Sequence, residues 1–164
     1  MKEKNEYELF LEGKKPAILY NPHSKDIIYP ACLQKIIHKY PFVDGVQVFD
    51  VRDQHLYFQS ESQKAHFLKR IQNIKINSPD WHRELGLILG YPPVAIQFFL
   101  DLQQDPTLEE KKAIFKHDGM SFVGSIDDKE EIAKWLCQKI SVATTTCKHH
   151  GQTILLETKK DQAV

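Results

Sequence analysis

The sequence predicts an α+β fold: a predominantly helical single domain with short antiparallel hairpins. Three observations predict it. At 164 residues the chain has the length of about one domain. Four places carry helix-start chemistry: Ser60 with Gln63, Ser78 with Pro79, Thr107 with Glu110, and Ser125 ahead of an acidic run. Segments 46–51 and 55–58 are rich in β-branched and aromatic residues around a short polar loop, and 141–146 could pair with 153–157 as a last hairpin.

In chain order, residues 3–11 read as a short helix closed by Gly13, and 16–20 as an apolar strand. Asn21-Pro22-His23-Ser24 makes a turn. Tyr29, Leu33, Ile36, Ile37 and Tyr40 have helical spacing over 27–40, with Pro30 allowed only in the first turn. Asp44-Gly45 is a turn, and Arg52-Asp53-Gln54 closes the hairpin 46–58. The helix from Ser60 is expected to bury Phe67, Leu68, Ile71 and Ile74. The helix from Ser78 buries Trp81, Leu85, Ile88 and Leu89 and ends at Gly90. Pro92-Pro93 forces a turn into a helix on Ala95, Phe98, Phe99 and Leu102. Thr107 opens a helix through Lys116 that His117-Asp118-Gly119 stops. Residues 120–124 form a strand, and Ser125 caps a helix on Ile132, Trp135, Leu136 and Ile140, whose acidic first turn suits the dipole. A last hairpin turns around 148–151. The expected domain spans 1–158, with a frayed tail over 159–164.

Composition narrows the function classes. The 22 basic and 22 acidic side chains cancel, which excludes a globally basic nucleic-acid binder. The longest apolar stretch, 94–100, is broken by Gln97 and falls far short of the ~20 residues that span a bilayer. Charges interrupt the first eleven residues, so no secretory segment is read there. Cys32, Cys137 and Cys147 are odd in number and widely spaced, which points to free thiols and a cytoplasmic protein.

The segment 81–93 is the most unusual. Gly86 sits inside a helix, where glycine costs about 0.5–1 kcal/mol relative to alanine. His82, Gly86 and Gly90 are spaced i, i+4, i+8 and so share a face, leaving a shallow groove. A neighbouring side chain filling that groove is the plainer reading; a ligand or partner seated there is the functional one. Glu84 and Tyr91 complete the candidate set, although His82 and Glu84, two apart, do not face each other. Cys147 with His149 and His150 is a single cluster without the second ligand pair zinc requires, so no metal is expected. Phosphate-binding glycine loops and the nucleophile elbow are missing from the sequence, and no cofactor is expected. Lys64, Lys69, Arg70 and Lys75 read as a solvated helix face.

The run from His82 to Pro92, with Arg83 set between His82 and Glu84, resembles the signature of an uncharacterised bacterial protein family. That family carries a His-Glu-Ile-Gly-x-Phe-Leu-Gly-Tyr-Pro-like segment. Its Gly-x-Lys-x-Ala-x-Leu element is similar to residues 13–19, and its glycine-containing strand before an acidic helix is similar to 120–136. The family has no established activity to carry over, so the resemblance bears on fold.

The resulting expectation is a non-catalytic binding or regulatory module for a protein partner or small ligand, with no membrane contact and nucleic acid disfavoured. A homo-oligomer is compatible with the sequence. The alternative is an enzyme with its site near His82, Glu84 and Tyr91.

Overall fold

The computed structural model describes residues 4–24 and 30–157. The expected tail 159–164 and the start of the helix expected from Ile27 lie outside them. Of the described residues 45% are helical and 28% lie in strands, arranged in two antiparallel sheets. The fold is therefore α+β but not predominantly helical. The chain divides into two compact units, one spanning Glu6–Gly90 and the other running from Tyr91 onward and including Asn5.

The first unit contains α1 (Glu6–Leu11), β1 (Ala17–Tyr20), α2 (Pro30–Ile37), β2 (Phe42–Val48), β3 (Val51–Phe58), α3 (Glu61–Ile71) and α4 (Pro79–Ile88). Its sheet has the order β1-β3-β2, with β3 central. Phe10, Ile18, Ile36 and Tyr57 form a buried cluster joined by Tyr7, Leu11, Tyr20, Ile37 and Tyr40, so α1 and α2 cover one sheet face. The hairpin is longer than its sequence implied, because Val48 pairs with Val51 across a two-residue loop, Phe49-Asp50. Asp44-Gly45 and Asp53 are not turns. They fall where the β2–β3 register shifts, with Gly45 and Asp53 at φ 67° and 57°, as expected of bulges. The Ser60 cap forms as expected, accepting from the Gln63 N–H at 3.2 Å. Gln63 instead reaches one residue further back and accepts from the Gln59 N–H at 2.9 Å. Of the four apolar residues expected beneath α3, only Phe67 is fully buried, and Leu68 is exposed.

The second unit contains α5 (Pro93–Gln104), β4 (Lys112–His117), β5 (Met120–Ser125), α6 (Lys129–Lys139), β6 (Thr145–His149) and β7 (Gln152–Leu156), with sheet order β5-β4-β6-β7. The helix expected over 107–116 is the main correction. A 3-10 turn, Pro106–Lys111, runs straight into β4, a central strand. Asp105 caps that turn, accepting from the Thr107 N–H at 3.1 Å and from its hydroxyl at 2.6 Å. The Thr107 side chain is thus engaged upstream and caps no α-helix. Buried Ala113, Phe115 and His117 alternate with less buried Ile114 and Lys116, the period-2 pattern of a strand. Asp118-Gly119, read as a helix stop, is the two-residue loop of the β4–β5 hairpin, with φ of 47° and 86°. Gly119 is required twice over, because a Cβ there would lie within 2.6 Å of the Asn5 Cα.

His117, on β4, is fully buried. Its Nε2–H donates to the Ser141 carbonyl at 2.9 Å, and its Nδ1 accepts from the Thr145 hydroxyl at 2.8 Å. The Ser141 hydroxyl in turn donates to Asp118 at 2.8 Å. Burial holds the imidazole below its ordinary 6.5, against the smaller upward pull of the Ser141 carbonyl and Asp118. The folded state therefore binds its proton later than the unfolded state does. Stability from His117 is fully present above pH 6.5 and is lost as pH falls through the depressed value. The urea midpoint of the wild type should fall more steeply below pH 6.5 than that of His117→Gln; equal slopes would remove His117 as the cause.

Candidate functional site

The β2–β3 hairpin tip and the start of α4 meet around Phe49. Ser78 caps α4 by accepting from the Trp81 N–H at 3.2 Å, and Pro79 fills the first turn. Asn77, just before the cap, takes φ 65°, a conformation that asparagine tolerates. Its side chain clamps the Phe49 backbone from both sides. Oδ1 accepts from the Phe49 N–H at 2.8 Å, and Nδ2 donates to the Phe49 carbonyl at 3.1 Å. Gln47 Nε2 donates to the same carbonyl at 2.8 Å. The buried Trp81 indole donates to the Gln47 carbonyl at 2.9 Å, tying the strand to α4. Held this way, Phe49 adopts φ 53°, an uncommon conformation for a bulky side chain that persists only where its surroundings enforce it. The residue is 48% exposed, and its ring stacks on His82, with centroids 4.5 Å apart and planes 25° apart. Val51 and Ile76, neighbours in sequence of this clamp, are also exposed. Burial pushes the His82 imidazole below its ordinary value, with the Asn77 backbone pulling it back in part.

Glu84, on α4, accepts from Arg70 of α3 through Nε at 2.8 Å and Nη2 at 3.1 Å, a bidentate pair. Gly86 is buried within α4. Gly90 follows the helix end with φ 87°, so the line of small residues on the helix face stops at Gly86. Tyr91 belongs to the second unit, where its ring lies 5.4 Å from that of Phe122. Sequence reasoning missed Phe49, Asn77 and the indole bond of Trp81. The available signal was Asp50 interrupting the alternation of Val46, Val48 and Val51.

Lys15 is the other unusual group. Its ammonium is 1% exposed and donates to the Leu89 carbonyl at 2.5 Å and the Ala17 carbonyl at 3.2 Å. Leu89 is the C-cap of α4, where a cation suits the helix dipole. Burial lowers the Lys15 pKa to about 8, and Glu6, 3.9 Å away, offsets that only in part. At that depth the amine is a structural anchor for the end of α4, shielded from solutes.

Among the described residues no three His, Cys, Asp or Glu side chains gather to hold a metal, and no helix is long and apolar enough to cross a membrane. His149 and His150 both donate through Nε2 to the Glu110 carbonyl, at 2.7 and 3.0 Å. Of the basic positions read as one helix face, Arg70 is paired with Glu84 and Lys75 lies beyond the end of α3. No protein-family model, curated protein or solved structure matches the chain.

Proposed function

We propose that this chain is a cytoplasmic, non-catalytic binding module that takes a protein partner at Phe49, an exposed residue whose ring stacks on His82. The observation that carries the reading is the clamp on Phe49. A half-exposed aromatic is fixed by three hydrogen bonds to its backbone and by a ring stacked beneath it. Ordering such a side chain on binding ordinarily costs free energy, and here the fold has already ordered it. Rigid exposed aromatics are the usual anchors of protein interfaces. The run 82–92, which resembles the bacterial family signature, contributes His82 to this surface. Acid–base catalysis by His82 with Glu84 has less support, since the Glu84 carboxylate is bound to Arg70.

The test is native mass spectrometry of the wild-type chain and of Phe49→Asp, each purified gently from its own host. The wild type should retain a discrete protein partner. Phe49→Asp should lose at least about tenfold of it, as befits an anchor of ~2 kcal/mol or more, with an unchanged thermal melt. Equal retention by Phe49→Asp, or no partner on the wild type even after cross-linking, would reject the reading.

A further inference from the structure

We propose that β7 is a docking edge for a second copy of this chain, pairing antiparallel about a two-fold axis at Ile154. β7 ends the order β5-β4-β6-β7, so one side of it has no neighbour strand among the described residues. The hairpin that carries it fixes which backbone groups face that side. Its loop is two residues, His150 and Gly151, at φ 49° and 78°. Such a loop makes its flanking residues, His149 and Gln152, a hydrogen-bonded pair. The alternation of antiparallel ladders then makes Cys147 with Ile154 and Thr145 with Leu156 the next such pairs. The backbone groups of Gln152, Ile154 and Leu156 are therefore used by β6. Those of Thr153 and Leu155 point outward.

This edge lacks the protection that isolated edges usually carry. Residues 152–156 contain no charge and no proline, and the register with β6 runs without a bulge from Thr145–Leu156 to His149–Gln152. Leu155 is 66% exposed, more than any other large hydrophobic residue among those described.

The outward groups suit a second copy of the same strand. They are symmetric about Ile154, so an antiparallel copy sets Thr153 opposite the partner's Leu155, and Leu155 opposite the partner's Thr153. Both pairs fall in hydrogen-bonding positions, and the two-fold arrangement closes on itself. A charged edge would repel its own copy at such pairs, and this one carries no charge to do so. Two short strands bury less than a standard interface, so the association is weak and concentration-dependent.

Sedimentation of the full chain across concentrations up to millimolar tests this. The wild type should shift from 19.1 kDa toward twice that mass. The double variant T153K/L155K sets two ammonium groups opposite each other at both pairs and should stay monomeric. T153E/L155K sets a carboxylate against an ammonium at both pairs and should associate again. Amide exchange on the wild type needs no variant, and the N–H groups of Thr153 and Leu155 should slow as concentration rises. A wild type monomeric at every concentration overturns the proposal. So does association that T153K/L155K leaves intact, failure of T153E/L155K to restore it, or slowing confined to other amides.

Discussion

Replacing Trp81 with alanine should destabilise the first unit by about 3–5 kcal/mol, the usual cost of emptying a buried indole site. Trp81 is the largest side chain of α4 and is almost wholly buried. The loss has two separable parts. One is apolar packing beneath the hairpin. The other is the indole N–H bond to the Gln47 carbonyl, which fixes the strand that presents Phe49. Trp81→Phe keeps most of the ring and removes the donor, and should cost about 1 kcal/mol. Urea unfolding of the three proteins at equal m-value measures both. If Trp81→Phe costs as much as Trp81→Ala, the hydrogen bond rather than packing dominates the α4 contact. The proposed docking surface should respond out of proportion. With the Gln47 tie gone, the Phe49 clamp loosens, so Trp81→Phe should weaken partner retention while the protein stays folded.

The legibility of this fold followed the range of the interactions. Helix starts governed by one side chain and the next turn could be read directly at Ser60 and Ser78, each accepting a backbone N–H three residues on. Ser125 accepts the Asp127 N–H but opens only the 3-10 turn Ile126–Asp128, and α6 follows from Asp128 without a side-chain cap. Thr107 failed because the same chemistry was available two residues earlier at Asp105, and a local pattern cannot show which of two caps is used. The strand hidden behind it was legible in Ala113, Phe115 and His117, and in Asp118-Gly119, a strong hairpin signal that also ends helices. The candidate site was only half visible. Glycine spacing singled out α4 and with it His82. The groove depended on Gly90 continuing a helix that in fact ends before it. Phe49 could not be found by periodicity, because its conformation is imposed by Asn77, 28 residues away in sequence. Its prominence is a tertiary effect.

The other large effect is a pH dependence with an unusual sign, and Lys15 is its source. An unfolded lysine holds its proton up to about 10.5, whereas burial lets folded Lys15 release it from about 8. Below pH 8 both states are charged, and the cost of burying the ammonium is fully present. Between pH 8 and 10.5 the unfolded chain binds more protons than the folded one, so stability rises with pH. At 1.36 kcal/mol per pH unit the rise is roughly 3 kcal/mol. Tyr7 and Tyr57 act in the opposite sense, because burial raises both phenols above 10 and their contribution falls off at higher pH. The comparison with Lys15→Met isolates the lysine. That variant removes the buried charge but leaves the Leu89 and Ala17 carbonyls without this donor, so at neutral pH its stability should lie within about 2 kcal/mol of the wild type. Its stability should lack the rise above pH 8. Lys15→Arg, which keeps its charge at every accessible pH, should be destabilised throughout and never recover. Chemical denaturation at pH 7, 8.5 and 9.5 on all three proteins decides the matter. Parallel pH profiles for wild type and Lys15→Met would mean that the ammonium reaches water in solution. The anchor at the end of α4 would then be the hydrogen bond to Leu89 alone.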